Sequence, residues 1–123
     1  MGDLNTIEER ITSDEAIAEA YEIVRTVQVH LRSKRTFLLE VRRLLKGANV
    51  EPFHVMAYER MTLYRNSNGT ITSKCGSGGV SFHVWIDDLN LATFTYHRST
   101  PEAALSVALA RLSQYRDNEN TPW

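Results

Sequence analysis

The chain has 123 residues, a formal net charge of −1, 42% apolar residues and 24% charged residues, the size and balance of one globular domain that buries a core without a metal or disulfide staple. No stretch reaches the roughly 20 apolar residues needed to cross a bilayer, so no membrane partner is expected. The single cysteine, Cys75, excludes an intramolecular disulfide and a Cys-rich zinc site.

The near-zero charge hides an asymmetry. Residues 1–24 carry seven acids against Arg10, a net −6, whereas residues 25–74 carry ten bases against Glu40, Glu51 and Glu59, a net +7. Such a split serves an acidic partner or pairs one half of the protein with the other. The first residues lack a basic segment followed by an apolar run, so no secretory leader is expected and the cytoplasm is the expected compartment.

In chain order, residues 1–11 read as a frayed lead-in. Thr12 and Glu15 then form a capping box at a helix start. Ile17, Ala20, Tyr21, Val24, Val27 and Leu31 recur at spacings of three and four, an apolar helical stripe that continues through Leu38, Val41 and Leu45. Residues 13–46 are therefore expected to be either two helices broken near Ser33–Thr36, or one helix of about 34 residues, roughly 50 Å long, pairing with a second chain. Gly47 is read as the cap ending that region, with Pro52 preventing a restart.

From Arg60 the pattern changes to strands. Met61–Arg65, the turn Asn66–Gly69 and Thr70–Ser73 spell a β-hairpin, because Asn-Gly supplies positive φ angles. Lys74–Gly79 is a glycine-rich link. A second hairpin is expected over Val80–His97, with Val80 facing Tyr96, Phe82 facing Phe94 and Val84 facing Ala92. Thr100 caps the last helix and Pro101 occupies its first position; Leu105, Ala108, Leu109 and Leu112 form its buried stripe. Residues 117–123 read as a frayed tail.

Candidate sites are few. His30, His54, His83 and His97 show no ligand spacing, so no metal or other cofactor is expected. Cys75 lacks an assigned base, and Asp87 and Asp88 read as turn formers, so no catalytic residue is assigned. Lys74, Gly76 and Gly78 could cradle an anion through backbone amides, although the loop leads into a strand and is no Walker motif. Arg35, Arg42, Arg43 and Lys46 belong to a basic helix face suited to phosphates or an acidic protein, or solvated and balanced by the acidic first helix. On the outer face of the second hairpin, Trp85 with His83 and His97 has the make-up of a binding hot spot, unless the N-terminal helices cover it.

The run Phe94-Thr-Tyr-His-Arg-Ser-Thr-Pro-Glu-Ala-Ala-Leu-Ser-Val-Ala-Leu109 resembles the strand-to-helix ending of many small bacteriophage and prophage proteins. More loosely, it resembles the end of HicB-type antitoxins, whose opening strand and Pro-Gly turn this chain lacks. The phage resemblance implies a protein that inhibits a host component, defence systems included, without catalysis of its own.

The expected architecture is a single α+β domain over residues 1–123: an N-terminal helix or helical hairpin, a four-stranded antiparallel sheet of two hairpins, and a C-terminal helix packed on one sheet face. The expected function is non-enzymatic binding or inhibition through a protein partner, with self-association through the N-terminal helices. The alternatives are sequestration of a nucleotide-like anion and regulation by nucleic-acid binding.

Overall fold

The fold is built along one long strand. In the computed structural model, which describes residues 2–73 and 79–116, the 13-residue β3 (Phe53–Arg65) pairs antiparallel with β2 (Thr36–Lys46) and with β5 (Val80–Asp87). Tyr58 and Glu59 have partners in both strands, so β2 and β5 lie on opposite edges of β3. β1 (Ala20–His30) extends the sheet beyond β2, and the short β4 (Ile71–Thr72) pairs the far end of β3 at Tyr64 and Arg65. α1 (Gly2–Ser13) precedes the sheet and α2 (Pro101–Arg116) follows it.

Alternate residues of a strand share a face. Phe37, Leu39 and Val41 of β2 and Val55 and Ala57 of β3 are fully buried, and they meet Ala104, Leu105, Ala108 and Leu112 of α2. Val27, Val29 and Leu31 pack at the margin. Burying each large aliphatic or aromatic side chain contributes about 1.5–3 kcal/mol. The helix starts as its residues dictate, with Thr100 Oγ1 accepting from the Ala103 amide at 3.1 Å and Pro101 in the first position. Its stripe includes Ala104, whereas Leu109 lies at the rim, 36% exposed.

The α+β class stands, with the C-terminal helix on one face of an antiparallel sheet. Three local expectations change. Residues 13–46 form no helix beyond Ser13; they are the β1–β2 hairpin, which turns at Leu31–Arg35, where Lys34 has φ +74°. The break near Ser33–Thr36 is real, but it separates strands. Val24 is an extra residue opposite Arg42 and Val41, and this bulge disrupts the alternation that would mark a strand. The density of Ile, Val and Thr in Ile23–Val29 is the strand signal.

The lead-in is a helix over Gly2–Ser13, so Thr12 stands at its end and donates to the Glu8 carbonyl at 2.8 Å instead of capping a start. Gly47, with φ +147°, opens the β2–β3 loop and ends no helix.

The second hairpin also differs. β5 stops at Asp87, and Asp88 Oδ1 accepts from the amides of Asn90 and Leu91 at 3.0 and 3.2 Å, turning the chain away. Residues 88–98 then run irregularly along the same edge of β3. Thr93 exchanges bonds with Val55, its amide donating to the carbonyl at 2.7 Å and its hydroxyl oxygen accepting from the Val55 amide at 2.6 Å. Arg98 bridges Phe53. β3 is long enough to take β5 and this segment in series, so Val80, Phe82 and Val84 pair with Arg65, Leu63 and Met61. Leu91, Ala92 and Thr93 are buried, while Phe94 and Tyr96 are 42% and 51% exposed. The Asn66–Gly69 turn forms as expected, with Gly69 at φ +87° and the Asn66 amide donating to the Thr70 carbonyl at 2.8 Å.

Candidate functional site

Both helices attach to the same side of the sheet. α2 covers the core, and α1 is tied to the end of β2, where Arg43 holds Glu8 at 2.5 Å and Glu22 at 2.6 Å. Lys46 Nζ also donates there, to the Asp14 carbonyl at 2.6 Å and more weakly to that of Ile11 at 3.4 Å. The opposite sheet face carries Tyr21, Ile23, Leu38, Glu40, Arg42, His54, Met56, Tyr58, Arg60, Thr62, His83, Trp85 and Asp87 by strand alternation. Neither helix packs on it.

Trp85, 41% exposed, pairs across strands with exposed Arg60. On either side lie Asp87 opposite Tyr58 and His83 opposite Thr62; the His83 ring and the Thr62 hydroxyl are 3.0 Å apart. Next inward is a bonded triad: Arg42 Nη2 donates to Glu40 Oε1 and to the Tyr58 hydroxyl oxygen at 3.0 Å each, and the Tyr58 hydroxyl donates to Glu40 at 3.1 Å. The Arg42 guanidinium also lies 4.4 Å from the Tyr21 ring centre. Burial pushes the Tyr58 hydroxyl above its ordinary pKa, so it remains a donor at neutral pH. The result is a rigid patch of aromatic surface with a charged rim.

At the other end of the face His54, 6% exposed, lies with its ring centre 5.0 Å from that of His97, the planes tilted by 54°, and edge-on to Tyr21. Burial, followed by the neighbouring His97 and Arg42, lowers its pKa to about 4. Nδ1 of each ring is buried without a hydrogen-bond partner. His83 and His97 are therefore not neighbours: their positions along β3 differ by roughly 25–30 Å at 3.3 Å per residue.

The expected basic face is dispersed, because successive strand residues point to opposite sides. Arg42 is on the open face, while Arg35 is on the helix side, donating through Nε and Nη2 to Glu59 at 2.7 Å each and stacking on Tyr115 at 4.3 Å. That hydrogen-bonded pairing raises the Arg35 pKa, as the bonds to Glu8 and Glu22 raise that of Arg43. Arg35, Arg42, Arg43 and Lys46 all direct donors to groups of the same chain. The opposed charges of the two segments thus meet in part within the molecule, at Arg43 with Glu8 and Glu22.

Lys74, Gly76 and Gly78, with Cys75, lie outside the described residues, as does the tail 117–123. No group of three or more His, Cys, Asp or Glu among the described residues is placed to hold a metal ion. No described helix is long and apolar enough to cross a membrane. Tyr58, Glu40 and Arg60 carry no motif in sequence, and cross-strand register brings them together with His54; alternation through Leu38–Arg42 and His54–Arg60 is the signal the sequence holds for them. Compared with known proteins, the chain matches no family model, no curated protein and no solved structure.

Proposed function

We propose that the protein is a non-enzymatic binding module, inhibitory in mode, that engages a protein partner through the open face of its sheet around Trp85. The observation that carries this reading is a half-exposed tryptophan beside an exposed arginine, on a sheet face that neither helix covers. Aromatic and arginine side chains on a rigid support are the usual anchors of a protein interface. The bonded Glu40–Arg42–Tyr58 triad lies beside them on the same face, already ordered by its own hydrogen bonds, so little order has to be gained there on binding. The resemblance of Phe94–Leu109 to small phage and prophage proteins implies a host component, such as a defence protein, as the partner.

The test is comparative capture from a bacterial lysate, read by mass spectrometry, with the wild type, Trp85→Ala/Arg60→Ala and a control variant on the helix side, Ser106→Arg. A partner retained by the wild type and the control but lost at least about tenfold by the double variant is the expected result, since anchor residues are each worth about 2 kcal/mol or more. Trp85→Ala should cost about 2–3 kcal/mol of stability, because Trp85 is more than half buried, and circular dichroism checks that the variant stays folded. Equal capture by all three chains would refute the assignment of this face.

A further inference from the structure

β1 ends the sheet. Its one sheet neighbour is β2, and among the described residues no strand pairs its outer edge. An 11-residue edge presents a row of backbone donors and acceptors to any extended chain. The usual protections are sparse: β1 contains no proline and no lysine, its only formal charges are Glu22 and Arg25, and Ile23 and Val24 are 53% and 41% exposed. The bulge at Val24 bends the first half, but Arg25–His30 keeps unbroken register with Val41–Thr36. That regular run is the template.

We propose that a second copy of the chain completes this edge, the two β1 strands pairing antiparallel about a two-fold axis. Charge selects the occupant. The approach to β1 carries Glu15 and Glu19, and the turn leaving it carries Arg32 and Lys34. All four are exposed, and none makes an ion pair among the described residues. Antiparallel self-pairing lays the acidic entry of each copy beside the basic exit of the other, at both ends at once. Parallel pairing would set like charges together. The match sets the register: Glu19 stands opposite Arg32 of the second copy when the Arg25–His30 run of each copy lies along Tyr21–Thr26 of the other. With the axis perpendicular to the sheet, the helix-bearing faces stay on one side and the Val27 and Val29 row continues across the junction. The interface uses the edge of β1 and leaves the Trp85 face free.

The experiment combines native mass and sedimentation with two charge-reversed chains, Glu15→Lys/Glu19→Lys and Arg32→Glu/Lys34→Glu. The wild type is expected to dimerise with a dissociation constant that rises with salt, as exposed charge pairs are screened. Each reversed chain has like charges at both junctions. Four exposed pairs, each a factor of about 1.5–5, become repulsive, so self-association weakens by about tenfold or more. Mixed one to one, the two chains regain opposite charges at both junctions and form a heterodimer of near wild-type affinity. Amide hydrogen exchange gives a second readout on the wild type alone: alternate amides in Arg25–His30 gain protection at concentrations where the dimer forms. A wild type that stays monomeric, reversed chains that associate as well as the wild type, or a mixture that fails to form the heterodimer would each overturn the proposal.

Discussion

Replacing Arg35 by alanine strands a carboxylate in the protein's interior. The Glu59 side chain is 3% exposed and both its oxygens are held at 2.7 Å by Arg35 Nε and Nη2. Removing one partner of a buried ion pair costs about 3–5 kcal/mol, because the other charge keeps its desolvation cost without its counter-charge. The Arg35 side chain is 14% exposed, so water reaches the vacated site and the expectation moves to the lower end. Loss of the stack on Tyr115 at 4.3 Å and on Phe37 at 5.5 Å adds about 0.5–1 kcal/mol. A total of about 3.5–4 kcal/mol is a large part of the 5–15 kcal/mol typical of a domain. It corresponds to a fall in melting temperature of roughly 10–15 °C for a chain of this size. Urea unfolding followed by circular dichroism and tryptophan fluorescence measures it. Arg35→Met combined with Glu59→Leu leaves no charge behind and should recover most of the loss. A single variant within about 1 kcal/mol of wild type, at unchanged denaturant slope, would refute the reasoning, as would a double variant no better than the single.

Acid should act through His54. Its pKa is lowered to about 4 by burial, so between that value and the ordinary 6.5 or so the unfolded chain binds more protons than the folded one. The sign follows: the contribution is fully present above about pH 6.5, falls as pH drops to 4, and amounts at most to about 3 kcal/mol. His54→Gln should flatten that part of the stability profile; a variant whose profile runs parallel to the wild type would assign the acid sensitivity elsewhere. At the start of α2, Thr100→Ala removes the acceptor for the Ala103 amide and should cost about 1 kcal/mol. Thr100→Ser should restore it, and indistinguishable urea midpoints for all three chains would exclude a capping role.

The parts of the fold legible in sequence are those whose cause is local. α2 begins at Pro101 under Thr100 because a cap and a first-position proline act within four residues. The turn at Asn66–Gly69 forms because Gly69 tolerates φ +87° at no steric cost. Residues 13–46 were ambiguous because one bulged valine converts an alternating strand into spacings of three and four. Residues 88–98 resisted reading because their partner is β3, more than 30 positions earlier; Thr93 is buried to serve Val55, and Phe94 and Tyr96 lie outside the core.

The chain by itself determined the α+β class, the capped last helix and its buried alanine and leucine stripe, and an alternation that gives β5 an inner row and an outer row. It also determined the opposed charges of its first and second segments. Tertiary structure decided which charges meet. Arg35 finds Glu59, Arg43 finds Glu8 and Glu22, and Arg42 finds Glu40 and Tyr58 because strand register, set by long-range pairing, decides which side chains share a face. It also decided that Trp85 stands exposed: α1 and α2 both attach to the opposite side of the sheet, a choice made by the packing of the whole core rather than by any short run of residues.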